Sequence, residues 1–198
     1  MKFFLDTADL AEIEKAFKLG ILDGVTTNPA LLSKQSLSYK EGIKKIVELT
    51  EGAIVFAEVL ADSADEMVKE GREINTWGPN MIVKLPMIPA GIQACSQLSH
   101  EGVKCAITMV YSVAQALVAA KAGAVYIAPF IARANEVGVD GLNTVSEIAD
   151  VYQAQGIETG ILTASLRTGR DAAESLRLGA TAVTLPFAVL NGMMKNPL

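Results

Sequence analysis

The sequence predicts a closed (β/α)8 barrel, and three observations lead there. Short apolar, β-branched runs alternate with longer segments of helical period along the whole chain. Eight runs and eight helical segments can be counted, and the runs are apolar on both faces, as in a parallel sheet covered by helices. There is also a faint internal echo: Gly123-Ala124-Val125-Tyr126-Ile127-Ala128-Pro129-Phe130 resembles Gly179-Ala180-Thr181-Ala182-Val183-Thr184-Leu185-Pro186-Phe187.

The first run, Lys2–Asp6, stops at a carboxylate and leads into a helix predicted over Leu10–Leu19. The second, Gly24–Thr27, ends in Thr26-Thr27-Asn28-Pro29, where Asn28 also has the form of a helix N-cap with proline behind it. A helix over Tyr39–Thr50 precedes the strand Ile54–Leu60, and a helix over Ala64–Asn75 precedes Met81–Leu85. Ala90–Glu101 is read as helix, Lys104–Val110 as strand, Val113–Ala122 as helix and Ala124–Pro129 as strand. In the helix Leu142–Ala154, Val145, Ile148, Ala149 and Tyr152 trace the i, i+3, i+4, i+7 stripe of one buried face. The strands Glu158–Ala164 and Ala182–Pro186, with helices over Arg170–Leu178 and Phe187–Met194, complete the series. An open doubly wound sheet is the alternative. It usually has fewer strands and often a Gly-rich first turn, whereas Asp6-Thr7-Ala8-Asp9 follows the first strand here, and neither G-x-G-x-x-G nor a Walker motif occurs. No linker or charge block divides the chain, so one domain over 1–198 is expected, with a short C-terminal helical region.

At 198 residues, 51% of them apolar, the chain can bury a core without metal or disulfide staples. Its 17 basic and 22 acidic residues leave a net charge of −5, which argues against a nucleic-acid partner but leaves phosphorylated small molecules open. Cys95 and Cys105 are too few for a disulfide framework and read as buried thiols. A single histidine, His100, argues against a zinc site or a Ser-His-Asp triad. No segment has the length of a membrane span, and the N-terminal apolar run stops at Asp6, too early for a signal peptide. A soluble, cytoplasmic protein without membrane partners is expected.

Barrel chemistry gathers at the C-terminal ends of the strands, so the polar residues that interrupt the runs there are the candidates. They are Asp6, Thr26-Thr27-Asn28, Glu58, Lys84, Thr108, Phe130 with Arg133 just beyond, and Ser165 followed by Arg167. A lysine on a strand apolar on both faces points into the barrel or snorkels. Inside, the ammonium is poorly solvated, and the neutral amine so favoured attacks carbonyls to form Schiff bases. An interior ion pair between Lys84 and Glu58 explains the same residues equally well. Asp6 and Glu58 can move protons for imine chemistry or merely neutralise the lysine. Thr108 can hold a water or hydroxyl, or simply suit a strand. Ser165, Arg167 and Arg133 lie where barrels bind phosphate. Otherwise Ser165 caps a helix and Arg167 is solvated.

Phe4-Leu5-Asp6-Thr7-Ala8, Gly24-Val25-Thr26-Thr27-Asn28-Pro29, Val83-Lys84-Leu85-Pro86 and Ala164-Ser165-Leu166-Arg167 together resemble the small transaldolase family, which includes the fructose-6-phosphate aldolases. The resemblance runs from Met1 to about Pro197. It implies a (β/α)8 barrel, sugar-phosphate substrates, Schiff-base chemistry without metal or organic cofactor, a homo-oligomer (pentamer or decamer) and a place in the pentose phosphate pathway. It makes Lys84 the Schiff-base lysine, Asp6 the carboxylate that handles the donor's C4 hydroxyl proton, and Glu58 and Thr108 the pair that holds a catalytic water. Thr27, Asn28 and Phe130 fall among the substrate-binding positions, Asn28 as a sugar-hydroxyl ligand, and Arg133, Ser165 and Arg167 match the phosphate anchors. Aldolases of the family carry Gln and Tyr where this chain has Glu58 and Phe130, so the resemblance implies a transaldolase. A lyase that releases free dihydroxyacetone is the alternative, and a barrel that binds sugar phosphates without turnover is the reading outside enzymology. The chain departs from the family at Ala132-Arg133-Ala134-Asn135 and at Ile88-Pro89, and it stops at Leu198, before a further helix that relatives use in subunit packing.

Overall fold

In a computed structural model, which describes residues 1–195, eight parallel strands close into a barrel. They are β1 (Lys2–Asp6), β2 (Gly24–Thr26), β3 (Ile54–Glu58), β4 (Met81–Pro86), β5 (Cys105–Val110), β6 (Tyr126–Pro129), β7 (Gly160–Thr163) and β8 (Ala182–Leu185). Each pairs with its neighbour in sequence, and β8 returns to β1. The main helices are α1 (Leu10–Phe17), α3 (Tyr39–Leu49), α4 (Ala64–Asn75), α5 (Pro89–His100), α6 (Val113–Lys121), α8 (Gly141–Gln155), α9 (Gly169–Arg177) and α10 (Phe187–Met193). Two short helices are additional to those the patterning predicts: α2 (Pro29–Leu32) and α7 (Ile131–Glu136). With 4 and 6 residues they are too short to show a helical period. The start of α2 is legible all the same, because Asn28 Oδ1 accepts from Leu31 N at 2.9 Å and Pro29 opens the helix. Residues 196–198, the end of the expected single domain, lie outside the described residues.

The strands are buried on both faces, but the two faces differ. One large apolar layer packs strands against helices, and a second cluster fills the barrel: Phe4, Phe56, Ile82, Ala106, Leu162 and Ala182, with Tyr126 against them. Three aromatic rings meet edge to face there, Phe4–Phe56 at 5.2 Å, Phe56–Tyr126 at 5.7 Å and Phe4–Tyr126 at 6.2 Å between centroids. Because side chains alternate along a strand, the next inward residue above Phe4, Phe56, Ile82 and Ala106 is Asp6, Glu58, Lys84 and Thr108 in turn. The plug thus forms the floor beneath the polar residues.

Two contacts fix the strand ends that carry them. α5 presses on the end of β4 so closely that a Cβ at Gly91 would lie 2.0 Å from the Pro86 carbonyl oxygen, a place only glycine can take. On the other side β2 stops early and leaves the main chain of Glu58 unpaired along that edge. Tyr39, the first residue of α3, fills the gap: its hydroxyl donates to the Glu58 carbonyl at 2.6 Å and accepts from Glu58 N at 2.7 Å. Burial pushes the Tyr39 hydroxyl pKa well up, so it stays protonated and can donate. Tyr39→Phe should leave both main-chain groups without a partner and lower stability by about 1–3 kcal/mol. Denaturant unfolding with an unchanged m-value checks this, and an unaltered midpoint would show that the hydroxyl carries no structural weight.

Candidate active site

A cavity of about 410 Å³ opens at the C-terminal end of the barrel. Asp6, Thr26, Asn28, Lys84, Thr108, Phe130, Arg133, Ser165 and Arg167 all line it, so residues spread over six strand ends converge on one space, while the Glu58 side chain is not part of the lining. Lys84 is only 8% exposed. Its Nζ donates to the Thr27 carbonyl at 2.9 Å and lies 3.2 Å from Glu58 Oε2. The ion pair and the cavity-facing amine, alternatives in the sequence, are therefore both present in one lysine.

Asp6 is held differently. Its Oδ1 accepts from the Thr26 hydroxyl at 2.8 Å, and Thr26 in turn meets Thr184 at 2.6 Å. Burial raises the Asp6 carboxyl above its ordinary value; the Lys84 charge and the Thr26 hydrogen bond oppose that rise, and the Glu58 charge adds to it. A carboxyl so placed can both take and return a proton closer to neutrality. Among the described residues the Thr108 hydroxyl, buried on the cavity wall, has no hydrogen-bond partner, so it can bond a water or a ligand hydroxyl.

Not every candidate side chain reaches the cavity. Thr27 is fully buried, and its hydroxyl donates to the Phe56 carbonyl at 2.8 Å, so it serves the site through its main chain. Asn28 lines the cavity while its Oδ1 caps α2, so the helix-cap reading holds and the residue also borders the open space. Ser165 does not cap α9; Thr168 does, forming a reciprocal capping box with Asp171. Asp171 Oδ2 also accepts from Arg167 N at 3.0 Å and Thr168 N at 2.9 Å, which occupies the helix start where an anion would otherwise sit. The Arg133 and Arg167 side chains line the cavity on this side together with Ser165, whose backbone is left-handed at φ +59°. Phe130 packs edge-on against Tyr111, with centroids 6.2 Å apart.

Three residues at the site escape the sequence reading. Lys34, beyond α2, adds a further cation to the cavity lining. Glu136, at the end of α7, stands between the two arginines, and Tyr39 holds Glu58. Lys34 and Glu136 could have been found by extending the scan about two helical turns past each strand end. Tyr39 has no such signal, since its contact lies 19 residues away in sequence. Among the described residues, no group of three or more His, Cys, Asp and Glu is arranged to hold a metal ion.

Comparison with known proteins bears on the whole chain. Against solved structures the fold superposes on flavocytochrome b2 with sulfite bound, at a TM-score of 0.65 and 13% identity, covering 94% of this chain and 57% of that one. At that identity the likeness is one of barrel architecture. Sequence relatives are much nearer. A probable transaldolase of Methanococcus maripaludis is 46% identical over 198 residues, covering all of this chain and 92% of the relative. A probable transaldolase of an Exiguobacterium species is 42% identical over the same span and shares. The family description Transaldolase/Fructose-6-phosphate aldolase matches residues 3–198. With that match over nearly every residue, and these relatives over the full length, the chain belongs to the transaldolase/fructose-6-phosphate aldolase family.

Proposed function

We propose that the protein is a transaldolase that moves a dihydroxyacetone unit from a ketose phosphate to an aldose phosphate through a Schiff base on Lys84. The observation that carries this reading is one buried amine in the same cavity as a carboxyl of raised pKa, with two guanidiniums on the rim. The donor's phosphate meets Arg133, Arg167 and Ser165, which sets its C2 carbonyl towards Lys84. Once its proton passes to the paired Glu58 carboxylate, the neutral amine attacks C2, loss of water gives the imine, and return of the proton makes it the iminium. Asp6 takes the C4 hydroxyl proton, the C3–C4 bond breaks, and its electron pair moves into the iminium to leave an enamine. The shortened aldose phosphate departs. An acceptor aldehyde is then attacked by the enamine C3, Asp6 returns the proton to the new hydroxyl, and water releases the product. Glu58, paired with the amine, and Thr108, on the cavity wall, can steer that water.

Incubation with fructose 6-phosphate and borohydride tests the lysine. Lys84→Arg should keep a cation and the fold but lose turnover and adduct, because a guanidinium forms no imine. Trapping on Lys34 or Lys104 instead would sink the assignment.

Arg133→Ala and Arg167→Ala should each lower catalytic efficiency with phosphorylated donors by roughly 10- to 150-fold, the loss of a charge-assisted hydrogen bond. Unphosphorylated dihydroxyacetone units should be affected much less. Equal losses with both substrate types would assign the arginines another task.

Phe130 offers no proton to the carbanionic intermediate, so the dihydroxyacetone unit should wait for an acceptor rather than be released. Phe130→Tyr should raise the ratio of dihydroxyacetone release to transfer, and added Glu58→Gln should raise it further. A wild-type protein that releases as fast as it transfers would restore the lyase reading.

Asp6 gives a pH-dependent expectation. Since its folded pKa is raised, the folded protein holds this proton more tightly than the unfolded chain does. Stability therefore falls as pH rises from about 3.8 through the raised value. Asp6→Asn should accordingly raise Tm at neutral pH, with the gain fading below about pH 4, while turnover drops about 100-fold or more. Loss of Tm at pH 7 would show that the carboxylate stabilises the barrel instead.

A further inference from the structure

The two guanidiniums at the rim share one carboxylate. Glu136 Oε2 lies 3.8 Å from Arg133 Nη1, and its Oε1 lies 3.6 Å from Arg167 Nη2. Each oxygen serves a different arginine, so the carboxylate bridges the pair as a bound oxyanion would. Among the described residues, no other acidic side chain forms an ion pair with either guanidinium. Glu136 is not part of the cavity wall. It lines an adjoining outer hollow with Asn135, Thr168 and Asp171, and Arg167 borders both spaces. All three side chains are more than half exposed, at 64%, 65% and 52%, so the contacts are screened and can exchange.

We propose that Glu136 is a competing anion built into the fold, a specificity-determining residue that draws Arg133 and Arg167 to the outer side of the rim and yields them when a ligand's phosphate binds. This rests on the reading of the two arginines as phosphate anchors. The physical consequence follows from exchange. An incoming phosphate replaces existing ion pairs rather than creating new ones from hydrated guanidiniums, and it does so beside a retained negative charge. Affinity for phosphate esters is therefore lowered. On departure the carboxylate is at hand to take the guanidiniums back, which assists release. A reaction that binds and discharges two different phosphate esters in each cycle gains from that. Asp171 stays out of the exchange, because its Oδ2 is engaged by the Arg167 and Thr168 main-chain N–H groups.

The test is equilibrium titration with inorganic phosphate at fixed ionic strength and pH, using the full chain. Wild type is compared with Glu136→Gln, Arg133→Ala, Arg167→Ala and, as a control of equal charge change, Glu48→Gln in the last turn of α3, paired with Lys45. Glu136→Gln should bind phosphate about 3- to 10-fold more tightly. Its KM for fructose 6-phosphate should fall by a similar factor, and Glu48→Gln should match wild type. If the arginine variants weaken phosphate binding but Glu136→Gln leaves it unchanged, the anchors stand and the competitor is overturned. Weaker binding by Glu136→Gln would mean that the carboxylate positions the arginines for the ligand, which also overturns it. Equal tightening by Glu48→Gln would reduce the effect to net charge. If neither arginine variant alters phosphate binding, the anchor reading fails and the inference falls with it.

Discussion

The ammonium of Lys84 sets the terms for the surrounding structure. A charge taken out of water at this depth costs several kcal/mol unless a counter-charge and hydrogen-bond acceptors offset it. Glu58 and the Thr27 carbonyl supply both, and each supply depends on the architecture of the sheet. The parallel register places Glu58 directly opposite Lys84, and a slip of one residue would turn one of the two out of the barrel. The carbonyl of Thr27 can accept from the lysine because β2 has already ended at Thr26. The early end of β2 exposes the edge of β3, and Tyr39 closes it. Strand length, register and a tyrosine on the following helix all bear on where one amine can rest.

Stability and reactivity are divided by height along the barrel axis. The aromatic layer of Phe4, Phe56 and Tyr126 is apolar and closely packed. One side-chain layer above it, a buried carboxyl is kept short of compensation and a threonine hydroxyl has no partner among the described residues. Two non-glycine residues at this end, Met109 and Ser165, adopt left-handed backbone at φ +61° and +59°. Met109 marks the bulge that shifts the register between β5 and β6 just after Thr108. The lower layer supplies the stability that lets the upper one remain polar and strained.

Much of this was legible in the sequence, because a parallel barrel strand is apolar on both faces and any polar residue within it stands out. Asp6, Glu58, Lys84 and Thr108 are conspicuous for that reason, and the period of two puts each above an apolar neighbour. Boundaries were less legible: predicted strands such as Ile54–Leu60 outrun the ladder, since the apolar run continues through Val59 and Leu60 past the last paired residue. Short helices α2 and α7 carried no period. The role of Thr27 was hidden because a main-chain carbonyl looks the same in every residue, and that of Tyr39 because its partner comes from packing rather than spacing. The cap of α9 lay three residues beyond Ser165, where Thr168 and Asp171 satisfy each other.

The aromatic floor also governs traffic. With Phe4, Phe56 and Tyr126 meeting across the axis, the barrel is a well and not a tunnel, and the hollow at its opposite end, bordered by Lys2, Lys104 and Glu158, is cut off from the upper one. A molecule that enters the well must back out through the same mouth. Two that need the same rim contacts must take turns, the second waiting on the first one's exit. The single way in and out is thus set by three rings at the bottom of the well.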